Sequence, residues 1–166
     1  MTDDLQRFVE AQAGTYAAAL AELRRGEKRG HWIWWVFPQL EGLGSSATSR
    51  RYALANPDDA VAWLRHPVLG PRLAESVAVV RGQVERSVPL RTLMGSAIDC
   101  AKLVSSLTLF VGVGPGEPGR EALVADAQAE LAVARQQGFG PCAFTERALA
   151  GAAAERPPRT ARGETA

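Results

Sequence analysis

Apolar residues recur at steps of three and four along most of the chain, which is the spacing of one face of an α-helix. The first series predicts a helix over residues 3–25, with Thr2 or Asp3 as its cap and Gly26 at its end. Later series predict helices over residues 47–55, 56–65, 71–85, 88–94, 96–110 and 119–137. The pattern therefore predicts an all-α fold, a compact domain of several helices with room for short extended segments.

Three positions carry local signals for helix ends or turns. Asn56 can cap a helix whose first position is Pro57, the residue type that suits it best. Ser96 and Asp99 resemble the first and last residues of a capping box. His66, directly before a proline, is predicted to be a cap or turn residue.

The composition fits one globular domain. The chain has 166 residues, of which 46% are hydrophobic and 22% charged, enough for a single core. We assign residues 1–150 to this domain, with a Gly/Pro linker at 112–118 before the last predicted helix. Residues 151–166 are mainly polar residues, Pro, Gly and Ala, and we predict a disordered tail there.

Charge and cysteine usage exclude several function classes. Lys and Arg total 19 against 18 Asp and Glu, so there is no strong signal for nucleic-acid binding. No run of about 18 apolar residues and no basic leader is present, which predicts a cytoplasmic protein without a membrane span. Cys100 and Cys142 are then reduced thiols. Two distant histidines make a poor ligand set, so we predict neither a metal ion nor another cofactor.

The most unusual stretch of the chain is residues 28–46. It holds three of the four tryptophans, one of the two histidines, a basic start and a Gly/Ser end. Pro38 disfavours helical geometry at Phe37, so we predict a short buried turn of helix or extended chain.

This segment supplies most of the candidate ligand-binding residues. The basic side chains and the Gly/Ser amides would hold anionic groups, an indole would stack on a base or sugar, and the glutamine would bond a ligand amide or hydroxyl. Each also has a structural interpretation, as a solvated helix end, a core aromatic or a partner of the backbone. The candidates are Lys28, Arg29, Trp32, Trp34, Trp35, Gln39, Gly44, Ser45 and Ser46.

A second polar group lies on the predicted helix over 96–110. Asp99, Lys102 and Ser106 are spaced by three and four residues and form one polar stripe, which adds Lys102 and Ser106 to the candidate ligand-binding residues. His31 and Asp99 are the candidate catalytic residues, because an imidazole titrates near neutral pH and a carboxylate can transfer a proton. The alternatives are a buried histidine bonded to a carbonyl and a simple ion pair between Asp99 and Lys102.

Several motifs resemble one known family. The run from Lys28 to Gly44, the run from His66 to Leu73, and the pattern from Asp99 to Phe110 are similar to the bacterial domain of unknown function 1810. The resemblance covers about residues 5–111 and implies a mostly helical small domain without an established activity. The alanine-rich helix over 119–137 departs from it. A distant likeness in layout to NADAR-type proteins, which act on ADP-ribose or N-glycosidic linkages, implies that class of ligand.

Two functions follow from these observations. The first is a small-molecule site for a nucleotide or ADP-ribose-like ligand, with hydrolysis of a glycosidic bond as the reaction to test. The second is a non-enzymatic interaction or structural module, in which the tryptophans pack the fold. The sequence predicts no oligomeric state, and no spacing rule says whether His31 and Asp99 share a pocket.

Overall fold

A computed structural model describes residues 4–156, which form ten helices and no strand. The all-α prediction is therefore confirmed. One isolated parallel bridge joins Leu40 to Leu54 within this range. The helices are α1 (Gln6–Ala13), α2 (Tyr16–Arg25), α3 (Ile33–Val36), α4 (Ala47–Arg51), α5 (Pro57–Arg65), α6 (Leu69–Glu85), α7 (Leu90–Met94), α8 (Ala97–Val113), α9 (Glu121–Gln136) and α10 (Ala143–Glu155).

Helix α8 lies at the centre of the molecule. It packs against α3, α5, α7, α9 and α10, and every residue from Leu103 to Phe110 is buried. Helix α6 forms the second layer, packing on α9, α2 and α5. Over residues 4–156, no helix combines the length and the apolar character that a bilayer span requires.

The predicted cap and turn residues are confirmed. Asn56 Oδ1 accepts a hydrogen bond from Asp59 N at 3.1 Å, which caps α5. Ser96 Oγ accepts from Asp99 N at 3.1 Å and caps α8 in the same way. His66 Nδ1 accepts from two backbone amides at the start of α6, at 3.1 and 3.2 Å. The α3 turn likewise agrees with the predicted short turn of helix in the aromatic segment.

The predicted continuous helix over 3–25 is wrong, because the chain breaks into α1 and α2 at Gly14 and Thr15. Both residue types are poor helix formers. The Thr15 hydroxyl donates to Ala11 O at 2.6 Å and accepts from Trp35 Nε1 at 2.9 Å. This tertiary hydrogen bond helps to hold the break. The predicted caps Thr2 and Asp3 lie outside the described residues.

Helix α10 is the element that the hydrophobic pattern missed. The prediction assigned no element to residues 139–150 and ended the domain at 150, whereas α10 runs from Ala143 to Glu155 and packs on α8. Its sequence is rich in alanine and has few large apolar residues, so it lacks the apolar periodicity that marks a buried helix face. Only Thr145 is buried. Of the predicted tail, residues 157–166 lie outside the described range.

Two glycines of α6 provide a matched test of packing. A Cβ added at Gly70 would lie 2.4 Å from the Leu64 carbonyl oxygen, and one added at Gly82 would meet no atom within 4 Å. We expect Gly70→Ala to destabilise the fold by about 2–4 kcal/mol. Gly82→Ala should stabilise it by about 0.5–1 kcal/mol, because alanine is the better helix former. Urea unfolding measures both, and equal effects would contradict the packing at Gly70.

Candidate functional site

Asp99 is positioned by the turn between α7 and α8. Gly95 ends α7 with a φ of +81°, a conformation that favours glycine. A Cβ at this position would lie 2.9 Å from Lys28 O. Lys28 N in turn donates to Leu93 O at 2.7 Å, so the backbone at Lys28 is held against the end of α7. This contact places Lys28 beside the first turn of α8.

The candidate residues Lys28 and Asp99 form an almost buried ion pair. Lys28 Nζ lies 2.7 Å from Asp99 Oδ2, and the two side chains are 5% and 16% exposed. The ammonium also donates to Gly30 O and lies 5.0 Å from the centre of the Trp32 ring. The donors of Lys28 are thus engaged within the protein, and the pair joins the α2–α3 loop to α8.

Lys102 occupies the more open side of the same cluster. Its Nζ lies 3.5 Å from Asp99 Oδ1 and 4.4 Å from the centre of the Trp34 ring, and its side chain is 21% exposed. The distance to Asp99 is long for a charge-assisted hydrogen bond, which is typically about 2.7–2.9 Å. Its donors are therefore less engaged than those of Lys28.

A carboxylate of α2 shapes the loop that carries the basic residues. Glu22 Oε2 accepts hydrogen bonds from Arg29 N at 2.8 Å, from Gly30 N at 2.9 Å and from Trp32 Nε1 at 2.9 Å. Burial acts to raise the pKa of Glu22, but these hydrogen bonds and the charge of Lys28 outweigh it and lower the pKa. These three hydrogen bonds hold the α2–α3 loop against the Glu22 carboxylate of α2.

The other polar residues of this loop face solvent. His31 is exposed, so the interpretation of a buried histidine bonded to a carbonyl is wrong. Arg29 is also exposed and pairs with Glu27 at 3.2 Å. A cation and an imidazole therefore lie on the surface of the loop whose lysine is buried.

The remaining candidates of the aromatic segment have contacts of their own. Trp35 Nε1 donates to Thr15, and its ring packs 5.0 Å from that of Tyr52. Gln39 is buried, and its backbone carbonyl oxygen accepts a hydrogen bond from Leu54 N at 3.0 Å. A Cβ at Gly44 would lie 2.5 Å from the side chain of Ser49.

The serines of that turn serve the short helix α4. Ser46 Oγ accepts from Ser49 N at 3.1 Å and so caps α4, while Ser45 is exposed. Helix α4 has only five residues, and a full helix dipole cannot develop over so short a length. The Gly44 to Ser46 amides therefore remain only a predicted anion site.

Ser106 does not share the surface of Asp99 and Lys102. It is fully buried in α8, and its Oγ has no hydrogen-bond partner among residues 4–156. The polar stripe that helical spacing predicts thus ends after its second member, because the third turn of α8 lies inside the core. Trp32 is buried too, whereas Trp34 and Trp35 are partly buried.

Five partly open surface pockets lie elsewhere on the described part of the chain. Neither His31 nor Asp99 lines any of these five. One, of about 550 Å³, lies beside α8 and α9 and is lined by Val104, Arg135 and Pro141, among others. In the described part of the chain, no cluster of three or more His, Cys, Asp or Glu side chains could hold a metal ion.

Cys142 is a chemically distinct residue that the sequence did not reveal. It precedes α10 and accepts a hydrogen bond from Thr145 Oγ1 at 3.1 Å. Burial acts to raise the pKa of this thiol, but the hydroxyl groups of Ser105 and Thr145 and the backbone amides of Thr145 and Phe144 outweigh it and lower the pKa. Cys100, by contrast, is buried in α8, and burial raises its pKa to about 11.

The chain is similar to proteins that have no assigned activity. A family model described as "Protein of unknown function (DUF1810)" matches residues 2–129. The match extends past the predicted 5–111 to residue 129, which lies within α9. No curated protein matches the chain.

A solved structure shares the fold. It is the crystal structure of the conserved hypothetical protein Rv1873 from Mycobacterium tuberculosis, which is 41% identical in sequence. The match covers 89% of this chain and 96% of that one, with a TM-score of 0.76.

The two cysteines should differ in reactivity. At pH 7 we expect Cys142 to react with iodoacetamide at least about tenfold faster than Cys100, because it is more exposed and its thiolate is favoured. Mass spectrometry of the native chain measures the two rates. Thr145→Val should slow the reaction at Cys142, whereas fast labelling of Cys100 would contradict its burial.

The Lys28 and Asp99 pair should be important for stability. Asp99→Asn leaves a buried ammonium without its carboxylate, so we expect a loss of about 3 kcal/mol in the free energy of unfolding. The double variant Lys28→Met, Asp99→Leu should lose less, because no buried charge remains. Arg24→Met, which removes an exposed pair with Glu75, is the control and should cost less than about 1 kcal/mol. A loss after Asp99→Asn no larger than the control's would contradict a structural role.

Proposed function

Because the chain belongs to the DUF1810 family, whose description assigns no activity, we propose from its geometry that it binds a small anionic ligand of the nucleotide or ADP-ribose-like class beside Lys102. The observation that carries the proposal is the position of the Lys102 ammonium. It is partly exposed, lies against the Trp34 ring and is only loosely paired with Asp99. A cation with free donors next to an aromatic ring suits a phosphate attached to a base or sugar.

The α2–α3 loop, which the pair of Lys28 and Asp99 joins to the start of α8, would supply complementary chemistry. Arg29 is exposed on the neighbouring loop and adds a second cation for a diphosphate. The exposed His31 can exchange protons with a ligand, and Asp99 can stabilise positive charge on a sugar ring. Hydrolysis of a glycosidic bond passes through an oxocarbenium-like state, and this reaction needs both roles. The proposal does not use the Gly44 to Ser46 turn, since its cap contacts lie within α4.

A second candidate, a non-enzymatic interaction or structural module, is favoured by a different observation. Lys28 is engaged by Asp99, Gly30 and Trp32, which describes a structural link rather than an open site. The five surface pockets also lie away from this cluster. In this case the aromatic segment packs the domain, and any partner binds another face.

Ligand binding at Lys102 is testable by thermal shift and calorimetry with ATP, ADP, ADP-ribose and inorganic phosphate. A ligand that binds the folded state at 100 times its Kd stabilises it by about 2.7 kcal/mol. We expect Lys102→Met to weaken binding about tenfold or more, equivalent to about 1.4 kcal/mol. Arg147→Met, an exposed cation on α10, is the control and should bind as the wild type does. Equal affinity in both variants would place any binding elsewhere.

The reaction is tested separately, by chromatography of ADP-ribose, nucleosides and NAD after incubation with the protein. Release of free base or ribose should be lost in His31→Ala, which removes an exposed side chain and should leave stability unchanged. Binding without turnover would retain the ligand site and exclude hydrolysis of these compounds. If no compound binds and Asp99→Asn is strongly destabilised, the structural module becomes the better account.

A further inference from the structure

A carboxyl group is buried between helices α6 and α9. Glu130 on α9 faces α6 and is 0% exposed. Neither of its carboxyl oxygens has a hydrogen-bond partner among residues 4–156. Burying a carboxylate without a hydrogen-bond partner costs free energy, so such a group normally holds a proton or pairs with a cation.

One guanidinium lies within reach of this carboxyl but is bound more closely to another. Arg81 on α6 places one terminal nitrogen 3.1 Å from Glu85 Oε1 and the other 3.6 Å from Glu130 Oε1. The Arg81 side chain is 29% exposed and Glu85 lies at the surface. Arg81 therefore stands between an exposed carboxylate on its own helix and a buried one on α9.

We propose that Arg81 is a proton-controlled clamp between α6 and α9. While Glu130 holds its proton, the guanidinium remains with Glu85. When Glu130 loses that proton, the guanidinium moves onto Glu130 and forms a direct hydrogen-bonded pair across the two helices. The fork of an arginine can satisfy a carboxylate through two parallel hydrogen bonds, which the present 3.6 Å separation does not yet provide.

Burial and the neighbouring charges place the proton loss of Glu130 near neutral pH. Burial raises the pKa of Glu130 to about 7, Arg81 opposes the shift, and the charges of Asp126 and Glu85 add to it. Asp126 belongs to α9 itself, and Glu85 belongs to α6. Helix α8 also packs against α9, but its titratable residues, Asp99, Cys100 and Lys102, lie in its first turns, where Asp99 is paired with Lys28.

The sign of the pH dependence follows from linkage. Between pH 4.5 and 7 the unfolded chain has released the Glu130 proton and the folded chain still holds it. The contribution of this residue to folding stability therefore falls as the pH rises through that window. Above pH 7 both states have lost the proton and the contribution stays constant.

The clamp is tested by urea unfolding of the full chain at several pH values, together with carbon-13 NMR of the glutamate carboxyl groups. The wild type should show one glutamate that titrates near pH 7. Glu130→Gln should remove this titration and the fall in stability between pH 4.5 and 7. Glu41→Gln, an exposed loop glutamate, is the control and should retain both.

Glu85→Gln separates the clamp from simple burial. It releases Arg81 for Glu130, so the midpoint of Glu130 should move down by at least half a pH unit. In an Arg81→Met background the same change should have a smaller effect, since only direct repulsion between the carboxylates remains. Crystal structures at pH 5 and pH 8 should show Arg81 closer to Glu130 at the higher pH. An unchanged midpoint in Glu85→Gln, or an Arg81 position that does not depend on pH, would overturn the proposal.

Discussion

The burial of α8 on all sides is the constraint on which the rest of the structure depends. A helix surrounded by five others cannot carry charge along its middle turns, and the hydroxyl groups of those turns can donate to carbonyl oxygens of the helix itself. Ser105 and Thr108 do so by donating to the carbonyl oxygens four residues earlier, at 3.0 and 2.7 Å. Charged chemistry on this helix is thus confined to its first turns. The candidate site lies at the end of the central helix for this reason.

Local chemistry explains which helix ends could be predicted. The caps of Asn56 and Ser96 depend on one side chain and one amide three residues later, so the sequence contains all the needed information. The break at Thr15 depends instead on an indole from α3, which no local pattern can place. Helix α10 was missed for a related reason. Within α10 only Thr145 is buried, and only Ala148 and Leu149 are apolar residues packed against the core, so hydrophobic periodicity cannot detect the helix.

The same distinction applies to the candidate site. Lys28 and Asp99 could each be singled out from the sequence, but their pairing depends on the backbone contact between Lys28 and Gly95, for which no spacing rule exists. Cys142 was predicted only to be a reduced thiol and Glu130 attracted no prediction, because neither residue belongs to a sequence motif. Burial and neighbouring donors or charges give these two groups their shifted pKa values. Ser106 shows the opposite error, a polar residue on a predicted open face that the fold encloses.

The pairing of Lys28 with Asp99 also bears on the order of folding. The two residues are far apart in sequence, and their contact closes a loop that contains α5, α6 and α7. Closing so long a loop carries an entropic cost, which is regained only when the intervening helices have packed. We infer that the pair forms after this packing, and an interaction that is absent from the folding transition state raises the barrier to unfolding more than it speeds folding. The pair therefore acts as a latch, which sets the lifetime of the folded chain more than the rate at which it forms.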